Sequence, residues 1–183
     1  MRIILVGYGV VGRGVTAILA RQYAEKVKDY GFNPKIVAIA DIDGAVINPR
    51  GLSPEKLEAL KTTRPISSDL DFGHPGIPAL EVIESVEAEV VVELTPVNIQ
   101  TAEPALTHIT KAFKTGKHVV TTNKGPLALA MPALTELAEY NNVYLRFSGT
   151  VGGGTPMLQF AKRCLAGDRI IGIRGILNGT TNY

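Results

Sequence analysis

Four short groups of residues in this chain have types and spacing that can do chemistry. The first is Gly7-Tyr8-Gly9-Val10-Val11-Gly12, a G-x-G-x-x-G run behind the apolar segment Arg2-Ile3-Ile4-Leu5-Val6. Between a strand and a helix, that spacing is the fingerprint of a turn that cradles a dinucleotide pyrophosphate. Gly7 makes the tight turn, Gly9 lets the backbone approach the phosphates, and Gly12 lets the helix pack close to the strand. Val10 and Val11 open the helix, whose unpaired N–H groups and positive dipole end face the anion. The second group is Asp41, at the end of the run KIVAIA. A carboxylate there accepts hydrogen bonds from the adenosine ribose and repels a 2′-phosphate, which favours NAD over NADP. Arg50 and Lys61 would reverse that preference if the intervening loop folds over the ribose, and a plain turn or helix-cap aspartate is the structural alternative. The third is Asn123-Lys124-Gly125-Pro126. A lysine held at a strand's end by a Gly-Pro turn can polarise a carbonyl oxygen or hold a carboxylate. The alternative is an exposed loop lysine. The fourth is SGTVGGGTP, Ser148 to Pro156. Its glycines leave backbone groups open to a ligand or ion, ahead of a helix that Thr155 would cap and Pro156 would begin. A flexible linker is the other reading.

Strands and helices must place these groups. A helix follows the glycine turn, with Val11, Val15, Ile18 and Leu19 on one face, and Gly31, Asn33 and Pro34 stop it. Lys35 to Ala40 reads as a buried strand. Ser53-Pro54 starts a short helix with Leu57 and Leu60 inward. Thr62 to Pro78 reads as loop. A short helix over 79–85 and a strand over 88–94 follow. After the loop Thr95-Pro96-Val97-Asn98 comes a helix through Phe113, with Gly116 as its cap and Lys114 and Lys117 at its negative end. The pattern then predicts a strand over 118–122, a helix from Pro132 to Tyr140 and a strand over 143–147. A last helix carries Met157, Phe160, Ala161, Cys164 and Leu165 on one stripe. Strands alternating with helices predict an α/β fold, a Rossmann-type doubly wound parallel sheet over residues 1–147. Ligands in such sheets bind beyond the carboxyl ends of the strands. The glycine turn, Asp41, Thr95-Pro96, Asn123-Lys124 and Ser148 to Thr155 all fall there.

Other classes are disfavoured. A net charge of +2, no Trp and no basic run give no footprint for nucleic acid. No apolar stretch reaches the ~18–20 residues of a membrane span. The first strand begins at once, so no leader is expected, and a single cysteine excludes an internal disulfide and fits the reducing cytoplasm. Cys164, on its apolar stripe, reads as a buried core thiol. His74, His108 and His118 form no set, with His108 read on the outer side of its helix, and no metal-ligand spacing is present. Glu93 reads as structural or supporting.

The combination resembles homoserine dehydrogenase, an NAD(P)-dependent enzyme family of the aspartate pathway to threonine and methionine. The resemblance is carried by GYGVVGRG at 7–14, VVVELTP at 90–96, ALTHITKAFKTGKHVVTTNKGPLAL at 105–129, SGTVGGGTP at 148–156 and RGILNGTTNY at 174–183. It implies interconversion of L-homoserine and L-aspartate 4-semialdehyde by hydride transfer, a small-molecule substrate, and a homo-oligomer or dimer in the complete protein. It also implies that Gly7 to Gly12, Thr95, Pro96 and Lys124 contact the cofactor, with Lys124 at the reacting centre. Asn123, Thr150, Gly152, Gly153 and Thr155 would lie toward the substrate. Residues 148–183 would begin an incomplete α+β substrate and dimerisation domain. Ser148 stands where the family often has a glutamate that helps bind a monovalent cation such as Na+, leaving only backbone carbonyls of Val151, Gly153 and Thr155. The family also continues past Tyr183, so the chain reads as a cofactor-binding part whose remainder lies elsewhere, with little turnover of its own. A non-catalytic NAD(P)-binding regulatory module is the rival reading. An acylating semialdehyde dehydrogenase needs a reactive thiolate, which a cysteine on an apolar stripe does not supply.

Overall fold

The computed structural model describes residues 1–21, 29, 31, 33–60, 62 and 65–176. Among these are seven strands in one sheet: β1 (Arg2–Val6), β2 (Lys35–Asp41), β3 (Gly44–Ile47), β4 (Gly73–Pro75), β5 (Val90–Glu93), β6 (His118–Thr121) and β7 (Leu145–Arg146). The helices are α1 (Val10–Arg21), α2 (Pro54–Leu60), α3 (Ala79–Ser85), α4 (Ala105–Lys114), α5 (Lys124–Tyr140) and α6 (Met157–Cys164). The strand order is β4-β3-β2-β1-β5-β6-β7.

The Rossmann expectation holds for the middle and one flank: β2, β1, β5, β6 and β7 run parallel. Because helices cover both faces, these strands are apolar on both, and alternate residues belong to different layers. Ile4, Val6 and Val91 pack with Ile83, Ile109, Phe113 and Leu134 on one side. Ile3, Leu5 and Val92 pack with Leu57, Leu60 and Ile66 on the other.

The other flank departs from a purely parallel sheet. β2 turns through Ile42-Asp43 straight into β3, with Asp41 opposite Gly44, and β4 adds antiparallel to β3. Residues 73–75, expected as loop, thus form an edge strand. Ser53 caps α2 as expected, its hydroxyl oxygen accepting from the Lys56 N–H at 3.2 Å.

Four expectations need correction. Lys124-Gly125-Pro126, expected as a turn, forms the start of a helical segment that meets a second one at a kink at Ala130 (φ −139°). The second segment, with Pro132 in its first turn and running to Tyr140, is the helix expected there. Thr155 does not cap α6: Pro156 occupies the cap without a side-chain bond, and Met157 is the first helical residue. Cys164 is exposed, because α6 buries none of its residues against the described chain. His108 is buried at 7% exposure, since its spacing from Ala105 and Ala112 puts all three on the inward face. The polar continuation of α1 over 22–28, Lys61 and the segment 177–183 lie outside the described residues.

Candidate functional site

The carboxyl ends of the parallel strands form one row, ordered Asp41, the glycine turn, Thr95-Pro96, Asn123-Lys124 and Ser148–Thr150. The row starts at a cleft of about 600 Å³ lined by Gly7, Gly9, Val10, Val11, Asp41 and Pro96. Tyr8, Ile42, Asp43, Pro65 and Leu94 complete its wall. Asp43 is the neighbour that sequence reasoning passed over. It lies two residues from Asp41 across a tight turn, and the Ser67 hydroxyl donates to it at 3.0 Å.

The turn is built from contacts only glycine permits. Gly7 has φ +94°, and a Cβ on it would lie 2.8 Å from the Leu94 carbonyl carbon and oxygen. A Cβ on Gly12 would lie 2.4 Å from the Gly7 carbonyl oxygen, so the helix start sits directly on the turn. Gly9 differs: a Cβ there meets nothing within 4 Å. The space it leaves opens at a helix N-terminus, where backbone N–H groups and the dipole favour an anion. Val10 and Val11 are 83% and 49% exposed, two apolar side chains uncovered at the mouth of the cleft. An open helix N-terminus beside exposed apolar side chains suits a ligand with both an anionic and an apolar part. Tyr8 is fully buried under the turn, its hydroxyl 3.1 Å from Thr16 Oγ1.

Asp41 is half-buried, and its Oδ1 accepts a local bond from the Ile42 N–H at 3.0 Å. Arg50 is carried away from it. β3 runs antiparallel, and Asn48 N–H and Leu52 N–H bond to the Val37 and Ile36 carbonyls near the start of β2. Arg50 therefore sits toward the opposite end of the strand from Asp41 and does not line the cleft.

Thr95 is half-buried behind Pro96. Its N–H donates to Glu93 Oε1 at 3.1 Å, and its hydroxyl bonds the same oxygen. Asn123 is buried as the N-cap of α5, with Oδ1 accepting from the Gly125 N–H at 3.1 Å and Nδ2 donating to the Thr95 carbonyl at 3.0 Å. Its amide thus has internal partners at both ends. Lys124 is exposed as the first helical residue, beside the row but outside the glycine-turn cleft. Thr150 is buried, and a Cβ on Gly149 would lie 2.9 Å from Thr122 Cγ2, which fixes the 148–150 turn against the end of β6. Gly152 is half-buried, while Gly153 and Thr155 are exposed.

One of the three carbonyls expected to hold a cation has an internal partner. The Thr155 carbonyl accepts from the Met157 N–H at 2.8 Å, Ser148 Oγ accepts from Gln159 at 3.2 Å, and residues 148–156 contain no carboxylate. A cation needs several oxygen donors, and of the three expected carbonyls that of Thr155 is already engaged within the chain.

Sequence and structure comparisons agree with this geometry. Residues 7–148 match the family described as homoserine dehydrogenase, NAD binding domain. The whole chain is 45% identical to a homoserine dehydrogenase of Methanocaldococcus jannaschii, covering 54% of that protein. It is 38% identical to an NAD(+)-dependent homoserine dehydrogenase of Pseudomonas canavaninivorans, covering 52% of it. Among solved structures, 91% of the chain superposes on 49% of a Thermoplasma acidophilum homoserine dehydrogenase, with a TM-score of 0.75 and 26% identity. A hyperthermophilic archaeal homoserine dehydrogenase mutant in complex with NADPH gives a TM-score of 0.77 at 28% identity, over 91% of this chain and 49% of that one. The chain spans about half the length of the curated relatives it matches.

Proposed function

The chain belongs to the homoserine dehydrogenase family through its NAD-binding domain, and we propose that it is the cofactor-binding part of an oxidoreductase interconverting L-homoserine and L-aspartate 4-semialdehyde. The observation that carries this reading is the open space over Gly9 at the start of α1, next to Asp41 in the row of strand ends. A dinucleotide laid along the row puts its pyrophosphate on the glycine turn and its adenosine toward Asp41. Its nicotinamide half then lies toward Thr95-Pro96 and Asn123-Lys124. The bound dinucleotide supplies the hydride acceptor or donor.

The chain's own residues bind and orient. Gly7 and Gly12 shape the turn, Val10 and Val11 cover an apolar flank, and Asp41 holds ribose hydroxyls. With Asp43 beside it and Arg50 directed away, Asp41 faces the cleft as part of an acidic pair, which supports NAD over NADP. Lys124 is the residue we assign to the substrate oxygen, as a cation close to where charge develops. Asn123, Thr150, Gly152, Gly153 and Thr155 would form the substrate side of the same row. A boundary after residue 147 is part of the proposal and accords with α6 having no fully buried residue. The rest of the substrate region, dimer formation and a cytoplasmic location belong to the same proposal. Among the described residues no helix is long and apolar enough to cross a membrane.

The test is NADH and NADPH titration of the folded chain by nicotinamide fluorescence, followed by homoserine-dependent reduction of NAD. Binding of NADH tighter than NADPH with little turnover is expected. A folded chain that binds neither nucleotide overturns the reading, and rapid turnover by these residues alone overturns its division of labour.

A further inference from the structure

Glu93 is fully buried at the end of a strand whose other residues are valines. A carboxylate taken out of water is tolerated when donors surround it, and here the donors come from segments that form the candidate site. Thr95 gives Oε1 both its N–H, at 3.1 Å, and its hydroxyl. Thr121 Oγ1, at the end of β6, donates to the Glu93 carbonyl at 3.1 Å and lies 3.3 Å from Oε2. Thr121 Oγ1 in turn accepts from the Asn123 N–H at 3.0 Å. Asn123 Nδ2 closes the ring by donating to the carbonyls of Thr95 at 3.0 Å and Pro96 at 3.3 Å. From the α4 side, His108 Nδ1 stands 3.7 Å from Glu93 Oε1. Among the described residues it is the buried side-chain nitrogen without a hydrogen-bond partner. That distance is within ion-pair reach but too long for a hydrogen bond.

On the dinucleotide reading of the cleft, we infer that Glu93 is a positioning residue for the reacting end of the site. Its carboxylate fixes Thr95-Pro96 directly. Through Thr121 and Asn123 it also fixes the start of α5, where Lys124 stands. His108 bounds the carboxylate from behind. Asp41 lies across β1 from this ring, and the glycine turn meets it by backbone packing against Leu94 and Thr95, with no hydrogen bond between turn and ring among the described residues, so the two halves of a dinucleotide should respond differently to its loss.

The experiment compares NADH with ADP, which carries the adenosine and the two phosphates but no nicotinamide. Both are titrated into the full chain and its variants, by fluorescence and calorimetry. Glu93→Ala removes the acceptor for Thr95, and a charge-assisted bond of this kind corresponds to about a tenfold change. NADH affinity is expected to fall about tenfold while ADP affinity changes less than about twofold. Glu93→Gln keeps an oxygen for Thr95 and can turn its NH2 toward Thr121 Oγ1, so it should recover NADH binding to within about threefold of the parent. Equal losses for both ligands, or no loss for either, overturn the inference while leaving the dinucleotide reading intact. A folded parent that binds neither ligand overturns both. Should Glu93→Ala fail to fold, Thr121→Val is nearly the same shape and cuts the link to Asn123. Loss of NADH affinity alone then supports the inference, and parental affinities for both ligands overturn it.

Discussion

At the amino ends of the strands, Arg2 on β1 pairs with Glu87 and with Glu89, the latter at 3.0 Å, and the partner side chains are 84% and 45% exposed. At the carboxyl ends, Glu93 is fully buried and meets Thr95, Thr121 and His108, with no lysine or arginine partner among the described residues. Both ends tie β1 or β5 to a neighbouring segment with a carboxylate. Exposed ion pairs are worth little, because water already solvates both charges. A buried carboxylate whose donors are removed loses its compensation outright. The same chemical group therefore serves as a dispensable fastening at one end and as a fixed geometric reference at the other. Glycines follow the same division: those at the carboxyl end allow backbone to meet backbone or leave room above the turn.

Substitutions at the carboxyl end should separate folding from ligand binding. Gly7→Ala is expected to do the most damage, since the left-handed φ and the Leu94 backbone both reject a Cβ. A loss of about 3 kcal/mol would appear as a melting temperature lowered by roughly 6–12 °C. Lys124→Ala should leave the melting temperature unchanged and reduce homoserine turnover of the complete protein about a hundredfold, read as kcat with saturating cofactor. If turnover survives, Lys124 has no part in the chemistry and the regulatory-module reading gains. Gly9→Ala should fold like the parent, because nothing lies within 4 Å of the new Cβ, yet bind NADH about tenfold more weakly by filling the phosphate space. Gly7 and Gly9 together thus test whether turn-building and ligand-holding are distinct. Asp41→Ser should change the NADPH-to-NADH affinity ratio by about fivefold in favour of NADPH, as the repulsion of a 2′-phosphate is relieved.

The amino end should give the smallest effect, and its sign is fixed. The Glu89 carboxyl lies below its ordinary range, chiefly because the Arg2 backbone N–H donates to it, with the guanidinium adding to the effect. A carboxylate with a lowered folded-state pKa contributes stability above the unfolded value of about 4.5, and that contribution is lost as the pH falls through the folded value. Glu89→Gln should therefore flatten the acid limb of a melting-temperature profile below about pH 5. The difference at neutral pH should be under about 1 kcal/mol, with NADH affinity untouched. A shift in NADH affinity would mean the two ends are coupled.

The legible parts of this molecule were those governed by neighbours in sequence. An all-apolar run ending in spaced glycines specifies β1, its turn and α1 because each requirement is local. The Ser53-Pro54 start of α2 was legible for the same reason. β4 was not, because three residues of mixed character become a strand only by pairing with β3. The first segment of α5 was hidden because Lys124-Gly125-Pro126 reads as a turn, and the Asn123 cap makes it a helix start, whereas the segment beyond the kink was legible at Pro132. His108 looked like a surface residue by polarity, although its spacing from Ala105 and Ala112 already put it on the inward face. The signal at Glu93 was available in VVVE itself, since a carboxylate closing a buried strand demands donors. Which donors those are depends on β6 and α4, and no local pattern names them. Cys164 failed in the opposite sense: its stripe is periodic, but periodicity does not say whether another surface covers it.

The tight turn joining β2 to β3 bears on how the two halves of a ligand are captured. Asp41 ends a strand flanked by β1 and β3, with the Gly7 N–H bonded to the Ala40 carbonyl at 2.8 Å and Gly44 facing Asp41 itself. The backbone that presents this carboxylate is ordered by the sheet before any ligand arrives. Little conformational entropy remains to be surrendered there on association. An adenosine moiety would meet a prepaid surface, and its encounter with that corner should be close to rigid docking, with a rate set by diffusion and charge rather than by rearrangement of the chain.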